Sequence, residues 1–389
     1  MAKTVAIESD GRGLPAAIRG FLQAVLTKGG VSAVLVPARL PAQAAVMPVL
    51  LADPGRLEAA EPLTPAFMVN AARMVSRLTR RPAGGEIAAL MRPCEIRAFI
   101  ELVKLNQGRT EELVIIGIDC PGALANRDYF RRAAADPAAL AAAFEGAALA
   151  GGGAAAEEAL GLAAACRVCE APVPEGADVA IALFAAEPGR GAAAIAQSAR
   201  GESLLGKLGL PEGAAPPGRA QAIERLKAER TARRDAMIQQ TRAATDSLEK
   251  LAAYLARCVN CYNCRVACPV CYCRECVFTT DVFDHEPAQY LRWAGRQGAV
   301  KMPADTLFYH LTRMAHMSAA CVGCGQCANA CPNEIPLAEL FRCVAHRTQA
   351  AFGYAAGRSA AEKPPLAEFR EEEFAEVVGL QCAGRQEGP

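Results

Sequence analysis

Residues Cys258-Val-Asn-Cys261-Tyr-Asn-Cys264-Arg-Val-Ala-Cys268-Pro269-Val-Cys271-Tyr-Cys273-Arg-Glu-Cys276 hold seven of the chain's 17 cysteines. The first four follow the spacing C-x2-C-x2-C-x3-C and precede a proline. The same run returns as Cys321, Cys324, Cys327 and Cys331 before Pro332. Three thiols at intervals of three plus a fourth ahead of a proline can all face one compact object, and the repeat makes this a pattern rather than a coincidence of composition.

Such a run is that of a bacterial ferredoxin with two 4Fe-4S clusters, where the fourth cysteine of each run ligates the cluster of the other. It therefore predicts one cluster on Cys258, Cys261, Cys264 and Cys331 and another on Cys321, Cys324, Cys327 and Cys268, with the swap tying both runs into one module. The competing interpretations are a pair of zinc ribbons or a disulfide framework. Zinc sites use C-x2-C pairs separated by a spacer, whereas the spacing here suits a cluster.

A chain of 389 residues with 52% hydrophobic content exceeds one typical domain, so two or three are expected. The net charge of +1, from 42 basic and 41 acidic residues, gives no field to draw in nucleic acid or an anionic membrane. Many cysteines behind a start, Met-Ala-Lys-Thr-Val-Ala-Ile-Glu, that lacks a basic region followed by an apolar core argue for the cytoplasm, where thiolates bind iron rather than pair. The alanine-rich stretch Ala133 to Ala165 is interrupted by Asp136, Glu145, Glu157 and Glu158. It falls short of the roughly 20 apolar residues of a membrane span.

Along the amino-terminal half, apolar runs at Val31 to Val36, Glu86 to Met91 and Leu113 to Ile118 alternate with helix-like segments at Leu14 to Lys28, Pro65 to Arg80 and Cys94 to Gln107. The alternation predicts a mainly parallel sheet with crossover helices, whose ligands sit at the carboxyl ends of the strands. Another strand is expected at Val179 to Phe184, a linker at Gly209 to Gly218, and a charged helix or helical pair with a solvated basic face at Arg219 to Arg257.

Several groups invite a chemical interpretation. Ser9-Asp10-Gly11-Arg12-Gly13-Leu14 could offer backbone amides to a phosphate at a helix start, or be a plain strand-to-helix turn, since the third glycine of a dinucleotide fingerprint is missing. Cys94 and Cys120 each follow a predicted strand and should emerge at one sheet edge with that loop. The Cys166–Cys169 pair could complete four ligands, the plainer alternatives being buried thiols and a zinc knuckle. His310 and His316, six residues apart, do not share a helix face and are expected to pack or bond locally rather than ligate. An acidic tail, Glu368 to Glu376, fits a docking helix or a solvated end equally well.

Taken together, Ser9 to Leu14, Arg-Pro-Cys94-Glu-Ile, Gly-Ile-Asp-Cys120, Cys166-Arg-Val-Cys169-Glu and the Arg-Gly-Glu near Gly201 resemble the beta-subunit family of coenzyme F-420-reducing hydrogenases and the matching formate dehydrogenases. The likeness spans about residues 1 to 210. It implies an α/β domain that binds FAD, through Ser9, Gly11, Arg12, Gly13 and Leu14, beside a 4Fe-4S cluster held by Cys94, Cys120, Cys166 and Cys169. Such a domain exchanges a hydride with F-420 or NAD(P)H. The segment His310-Leu-Thr-Arg-Met-Ala-His316-Met before Cys321 resembles the ferredoxin part of formate dehydrogenase beta subunits that work with heterodisulfide-reductase-like complexes. Here the ferredoxin segment comes last, whereas family members often place it first, and Gly11-Arg12-Gly13 replaces the usual paired glycine.

The expected organisation is thus an α/β flavin and cluster domain over residues 1–210, a linker and charged helix over 211–257, an α+β ferredoxin-like dicluster domain with helical insertions over 258–345, and a tail over 346–389. The expected function is an electron-transfer subunit of a formate dehydrogenase, hydrogenase or heterodisulfide-reductase-like complex. FAD would accept a hydride and release single electrons to the clusters. The other classes are a wire between partner subunits with no substrate turnover, and a zinc scaffold. Five cysteines remain: Cys271, Cys273, Cys276, Cys343 and Cys382. The close trio could hold an additional cluster with Cys343 as fourth ligand, or simply pack, C-x-C-x2-C being an uncommon cluster spacing.

Overall fold

The computed structural model describes residues 3–367 except 10, 42–44, 188, 190, 274 and 366. Asp10, Cys382 and the acidic tail lie outside the described residues. Seven strands form one sheet: β1 Thr4–Ile7, β2 Ala33–Arg39, β3 Val46–Leu51, β4 Ile87–Met91, β5 Leu113–Ile118, β6 Val179–Ala182 and β7 Ala192–Ala196, in the order β1-β7-β6-β5-β4-β2-β3. The ladders β2·β4, β4·β5 and β5·β6 are parallel, while β2·β3, β6·β7 and β1·β7 are antiparallel. The sheet is therefore mixed, which corrects the expectation of a mainly parallel one: a parallel centre carries antiparallel additions at both sides.

Side chains alternate across the central strands, as a pleated backbone requires. Val34, Val36, Ala88, Leu90, Val114, Ile116 and Ile181 pack in one core with Ile18, Phe21, Leu22 and Val25 of the helix Leu14–Lys28. That helix presents its apolar residues at intervals of three and four, and so forms a single stripe. On the other face Leu35, Ala89, Met91, Leu113 and Ile115 pack against Val75 of the helix Ala72–Thr79 and against Ile96, Phe99 and Leu102 of the helix Pro93–Lys104. Cys268, Val270, Met317, Ala320, Val322, Tyr354 and Ala356 belong to this same second core. The cysteine-run region and the sheet are thus joined by shared hydrophobic packing rather than by a tether.

Polar contacts fix the seam. Glu101 Oε1 accepts from Lys104 Nζ at 3.0 Å, from Tyr354 Oη at 2.6 Å and from Gly357 N at 2.6 Å. Gln326 Nε2 donates to Phe67 O at 2.8 Å and Gln107 Nε2 to Tyr272 O at 2.9 Å. The helix Arg219–Ala244 crosses both parts and is followed by the helix Leu248–Tyr254. Its arginines turn inward more than the sequence suggests. Arg219 makes a two-pronged pair with Asp119 at 2.8 and 2.5 Å, and Arg230 pairs with Glu157 at 2.7 Å. The proline-rich stretch before it runs along β1, where Ala6 N donates to Pro211 O and Gly213 N to Thr4 O.

Among the described residues, every strand precedes residue 197, and the region 258–345 is built of helices and loops. The expectation of an α+β ferredoxin-like module is corrected accordingly. Tyr309, Met314, Leu337, Leu340 and Phe341, from the helices Thr306–Met317 and Leu337–Ala351, supply an apolar core of their own. No strand pair is then needed to cover the cysteine loops. Among the described residues no helix is long and apolar enough to cross a membrane.

Candidate metal centres

The four amino-terminal cysteines come together from three places. β4 and β5 are parallel neighbours, so Cys94, at the start of the helix after β4, and Cys120, just beyond β5, leave the same sheet edge. The loop after β5 is then laced to the segment carrying the C-x2-C pair: Cys120 N donates to Pro172 O at 2.8 Å and Ala163 N to Ala123 O at 2.8 Å. Buried Arg230 clamps both sides, donating to Pro121 O at 2.7 Å and to Cys169 O at 3.4 Å.

The thiols sense one another. Burial first, then the nearby charges of Cys324, Glu95, Cys120 and Cys169, push Cys94 well above the ordinary thiol range. Burial, then Cys120 and Cys169, lifts Cys166 to about 12. For Cys120 burial is again the leading cause of an upward shift, opposed by Arg92 and Arg230. The raised values keep these thiols protonated, so an iron centre would have to displace their protons on binding; among the described residues no group of three or more His, Cys, Asp or Glu side chains is arranged to hold a single metal ion.

In the carboxy-terminal part, burial followed by Arg313, which opposes it, and then Cys321 and Cys271 sets the Cys268 thiol at about 12. Cys327 is raised by burial and by Cys268, Cys324 and Cys321, against Arg313. The fourth cysteine of the first run therefore faces the first three of the second. Cys258 is raised by burial and by Cys264 and Cys261, with Cys331 packed in the same apolar cluster as Cys258 and Cys264. The buried Nε and Nη1 of Arg313, Nη1 of Arg92 and Nε of Arg265 have no protein acceptor. Unpaired donors beside thiol quartets fit a group rich in acceptor sulfur.

The amino-terminal quartet and the quartet of the second run are neighbours. Cys324 is the first charge after burial to raise Cys94, and Cys166 is among the groups that raise Cys324. Gly325, at φ +76°, has no room for a side chain, since a Cβ there would lie 2.4 Å from the Cβ of Ala165, next to Cys166. Arg342 reaches both: burial lowers its pKa, but Glu170, then Cys321 and Cys169, outweigh that and raise it.

The remaining candidates separate. Cys271 is raised by burial and, more weakly, by Cys273 and Cys276, which places the trio together. Cys343 is elsewhere: its Sγ lies 3.9 Å from Ile238 O on the helix Arg219–Ala244, and Arg242 is the charge it feels after burial. The expected grouping of Cys343 with the trio is corrected, because its helix face turns toward the long arginine-rich helix. His310 is fully buried with Nε2 3.3 Å from Cys258 Sγ, and burial, then Arg313 and Lys301, depress its pKa to about 4. His316 is exposed on another side of the helix. The neutral His310 thus bonds locally, as expected, and its partner is the sulfur of a candidate ligand.

Ser9–Leu14 leaves β1 at the same sheet edge as Cys94 and Cys120, with β7 and β6 between it and β5. Gly11 and Gly13 have φ of +86° and +84°, as the phosphate-loop expectation requires. The amide of Leu14, however, donates to Glu145 Oε1 at 3.1 Å. The helix N-terminus already holds the chain's own carboxylate, so in this arrangement it does not fit the FAD pyrophosphate, a second anion at the same amides.

The structure is an α/β domain packed against a helical module that carries the two cysteine runs. Residues 253–335 match the family model described as 4Fe-4S dicluster domain. The chain is 29% identical over 297 residues to the F420-dependent formate dehydrogenase subunit beta of Methanocaldococcus jannaschii, covering 71% of this chain and 74% of the relative. It is 26% identical over 306 residues to the F420-dependent formate dehydrogenase 1 subunit beta of Methanococcus maripaludis, covering 72% of this chain and 75% of the relative. A chain of the F420-reducing [NiFe] hydrogenase complex from Methanosarcina barkeri superposes with a TM-score of 0.45 at 12% identity, covering 64% of this chain and 94% of that one. The protein is a homologue of formate dehydrogenase beta subunits, as the sequence resemblance implied, and carries a 4Fe-4S dicluster domain.

Proposed function

We propose that this protein is the electron-relaying subunit of a formate-linked redox complex, with three 4Fe-4S sites in a row. The amino-terminal site uses Cys94, Cys120, Cys166 and Cys169, the inner site Cys268, Cys321, Cys324 and Cys327, and the outer site Cys258, Cys261, Cys264 and Cys331. The observation that supports this reading is the contiguity of the cysteine segments: Gly325, next to Cys324, packs against Ala165, next to Cys166, and Arg313 and Met317 lie between Cys264 and Cys268. Bound clusters would supply one-electron relay. The chain itself would fix their order and surround the inner two with Arg92, Arg230, Arg313 and Arg342.

The relatives' names extend to this chain the expectation of F-420 as two-electron carrier, with NAD(P)H as the other hydride donor of the same kind. Partner subunits would belong to a formate dehydrogenase, a hydrogenase or a heterodisulfide-reductase-like assembly, in the cytoplasm. FAD enters through the family resemblance, and no step is routed through it at Ser9–Leu14. One specific observation, Glu145 on the Leu14 amide, favours a second reading, a wire that receives electrons from a partner's flavin.

Iron, sulfide and flavin analysis of anaerobically prepared protein tests both. Three sites require about 12 irons, and Cys166→Ser should remove about four of them. Stoichiometric zinc without iron, or iron unchanged in a folded Cys166→Ser protein, would contradict the assignment. Tightly bound flavin reduced by F-420 or NADH would exclude the wire.

A further inference from the structure

The helix Thr306–Met317 passes between the outer and inner quartets and turns one stripe of side chains toward them. Tyr309 Oη lies 3.3 Å from Cys264 Sγ of the outer set, and Met317 Sδ lies 3.8 Å from Cys268 Sγ of the inner set. Between them on the same stripe is Arg313, only 4% exposed. Its Nη2 donates to Cys264 O at 3.1 Å and approaches Met317 Sδ at 3.3 Å, and its guanidinium carbon stands 4.6 Å from the Phe341 ring centre. Nε and Nη1 are buried without an acceptor.

Other buried arginines of the molecule are neutralised by carboxylates: Arg230 by Glu157 and Arg342 by Glu170. Arg313 is different. Among the described residues it has no carboxylate partner, and it lies against Cys264 on one side and, through Met317 Sδ, against Cys268 on the other. Cys264 belongs to one quartet and Cys268 to the other. A buried cation without a counter-charge is strongly disfavoured, so this position makes sense only with negative charge on both sides. Phe341, Tyr309 and Met317 shield it from solvent, so salt screens the interaction little.

We propose that Arg313 is the shared counter-cation of the two ferredoxin-type centres, with Nε–H and Nη1–H donating to sulfur on either side. Reduction adds one negative charge to a cluster, and net charge and hydrogen bonds to sulfur set its potential. One fixed guanidinium between two centres favours the reduced form of each and so raises both potentials together, whatever difference the other neighbours set between them. Arg313 is a positioning residue: it binds no iron and touches no substrate. Its planar fork can address two sides at once, which a lysine ammonium cannot.

The test is an EPR-monitored redox titration of the full chain, resting on the assignment of clusters to the two quartets. Wild-type protein lacking iron would defeat that assignment, a failure distinct from that of the proposal. In iron-replete Arg313→Gln, the reduced-to-oxidised ratio of both ferredoxin-type clusters at the wild-type midpoints should fall about tenfold, a shift of ~59 mV for one electron. The amino-terminal cluster should stay put, and Arg313→Lys should recover part of the loss. Unchanged midpoints, or a shift of one centre alone, would overturn the proposal. If Arg313→Gln loses its iron, pulsed EPR of wild-type protein with 15N-arginine decides: nitrogen couplings on both reduced clusters that change in Arg313→Lys support it, and their absence overturns it.

Discussion

The inner and outer quartets share one spacing but occupy opposite surroundings. Cys268 is buried and Cys324 half-buried in the core shared with the sheet, Cys321 and Cys327 are half-buried, and Arg313 and Arg342 stand nearby. The outer set has Cys261 exposed, Cys258 contacted by His310 Nε2 at 3.3 Å and by Asn260 N at 3.5 Å, and Cys264 beside Tyr309 Oη. Donors at sulfur and contact with water both stabilise added negative charge. With clusters on the proposed ligands, the two sites would be unequal, the outer one favouring the reduced state and the electron running outward from the sheet.

The comparison can be broken most severely at Cys268. Cys268→Ser should remove about four irons and leave the outer centre in place, because the inner set alone loses a ligand; loss of the outer signals instead would reverse the swapped pairing. Glu101→Gln attacks the seam that seats the inner site. It leaves buried Lys104 Nζ with Tyr354 Oη at 2.6 Å and, as its nearest carboxylate, Glu362 at 3.9 Å. Loss of a partner from a buried pair costs about 3–5 kcal/mol, here toward the low end, and chemical denaturation reads it directly. His310→Leu should make the outer centre harder to reduce without moving the inner one, and Tyr309→Phe should do the same more weakly. A redox titration showing the inner centre shifting would refute the division of donors. Smallest of all, Cys273→Ser should leave the iron count unchanged, since Cys343 is not available to the trio, and a loss of about four irons would restore the additional cluster.

What could be read in the sequence follows the same contrast. The cysteine runs declare their ligands through fixed spacing, and β5 Leu113–Ile118 and the helix Leu14–Lys28 have the bounds that their apolar patterns predict. β3 was hidden because Pro48 sits inside it, paired across from Pro37, and a proline ordinarily argues against a strand. β7, Ala192–Ala196, is mostly alanine, which favours helix, and only pairing with β1 and β6 makes it a strand. The helix expected from Pro65 begins only at Ala72, preceded by a coil whose carbonyls at Thr64 and Ala66 receive Arg92 Nη2 at 2.7 Å. Arg313 and Arg230 look like surface charges in one dimension. The spacing of Tyr309, Arg313 and Met317 on one stripe was the available signal, whereas the carboxylate of Glu145 at the Leu14 amide joins residues 131 apart and left none.

Iron quantitation combined with an EPR-monitored redox titration of the anaerobically prepared full chain tests the central claim most directly. About 12 irons in three one-electron centres, with the ferredoxin-type pair split so that the outer is reduced first, is the expected result. About eight irons, or an inner centre reduced before the outer, would contradict the row of three sites and its direction.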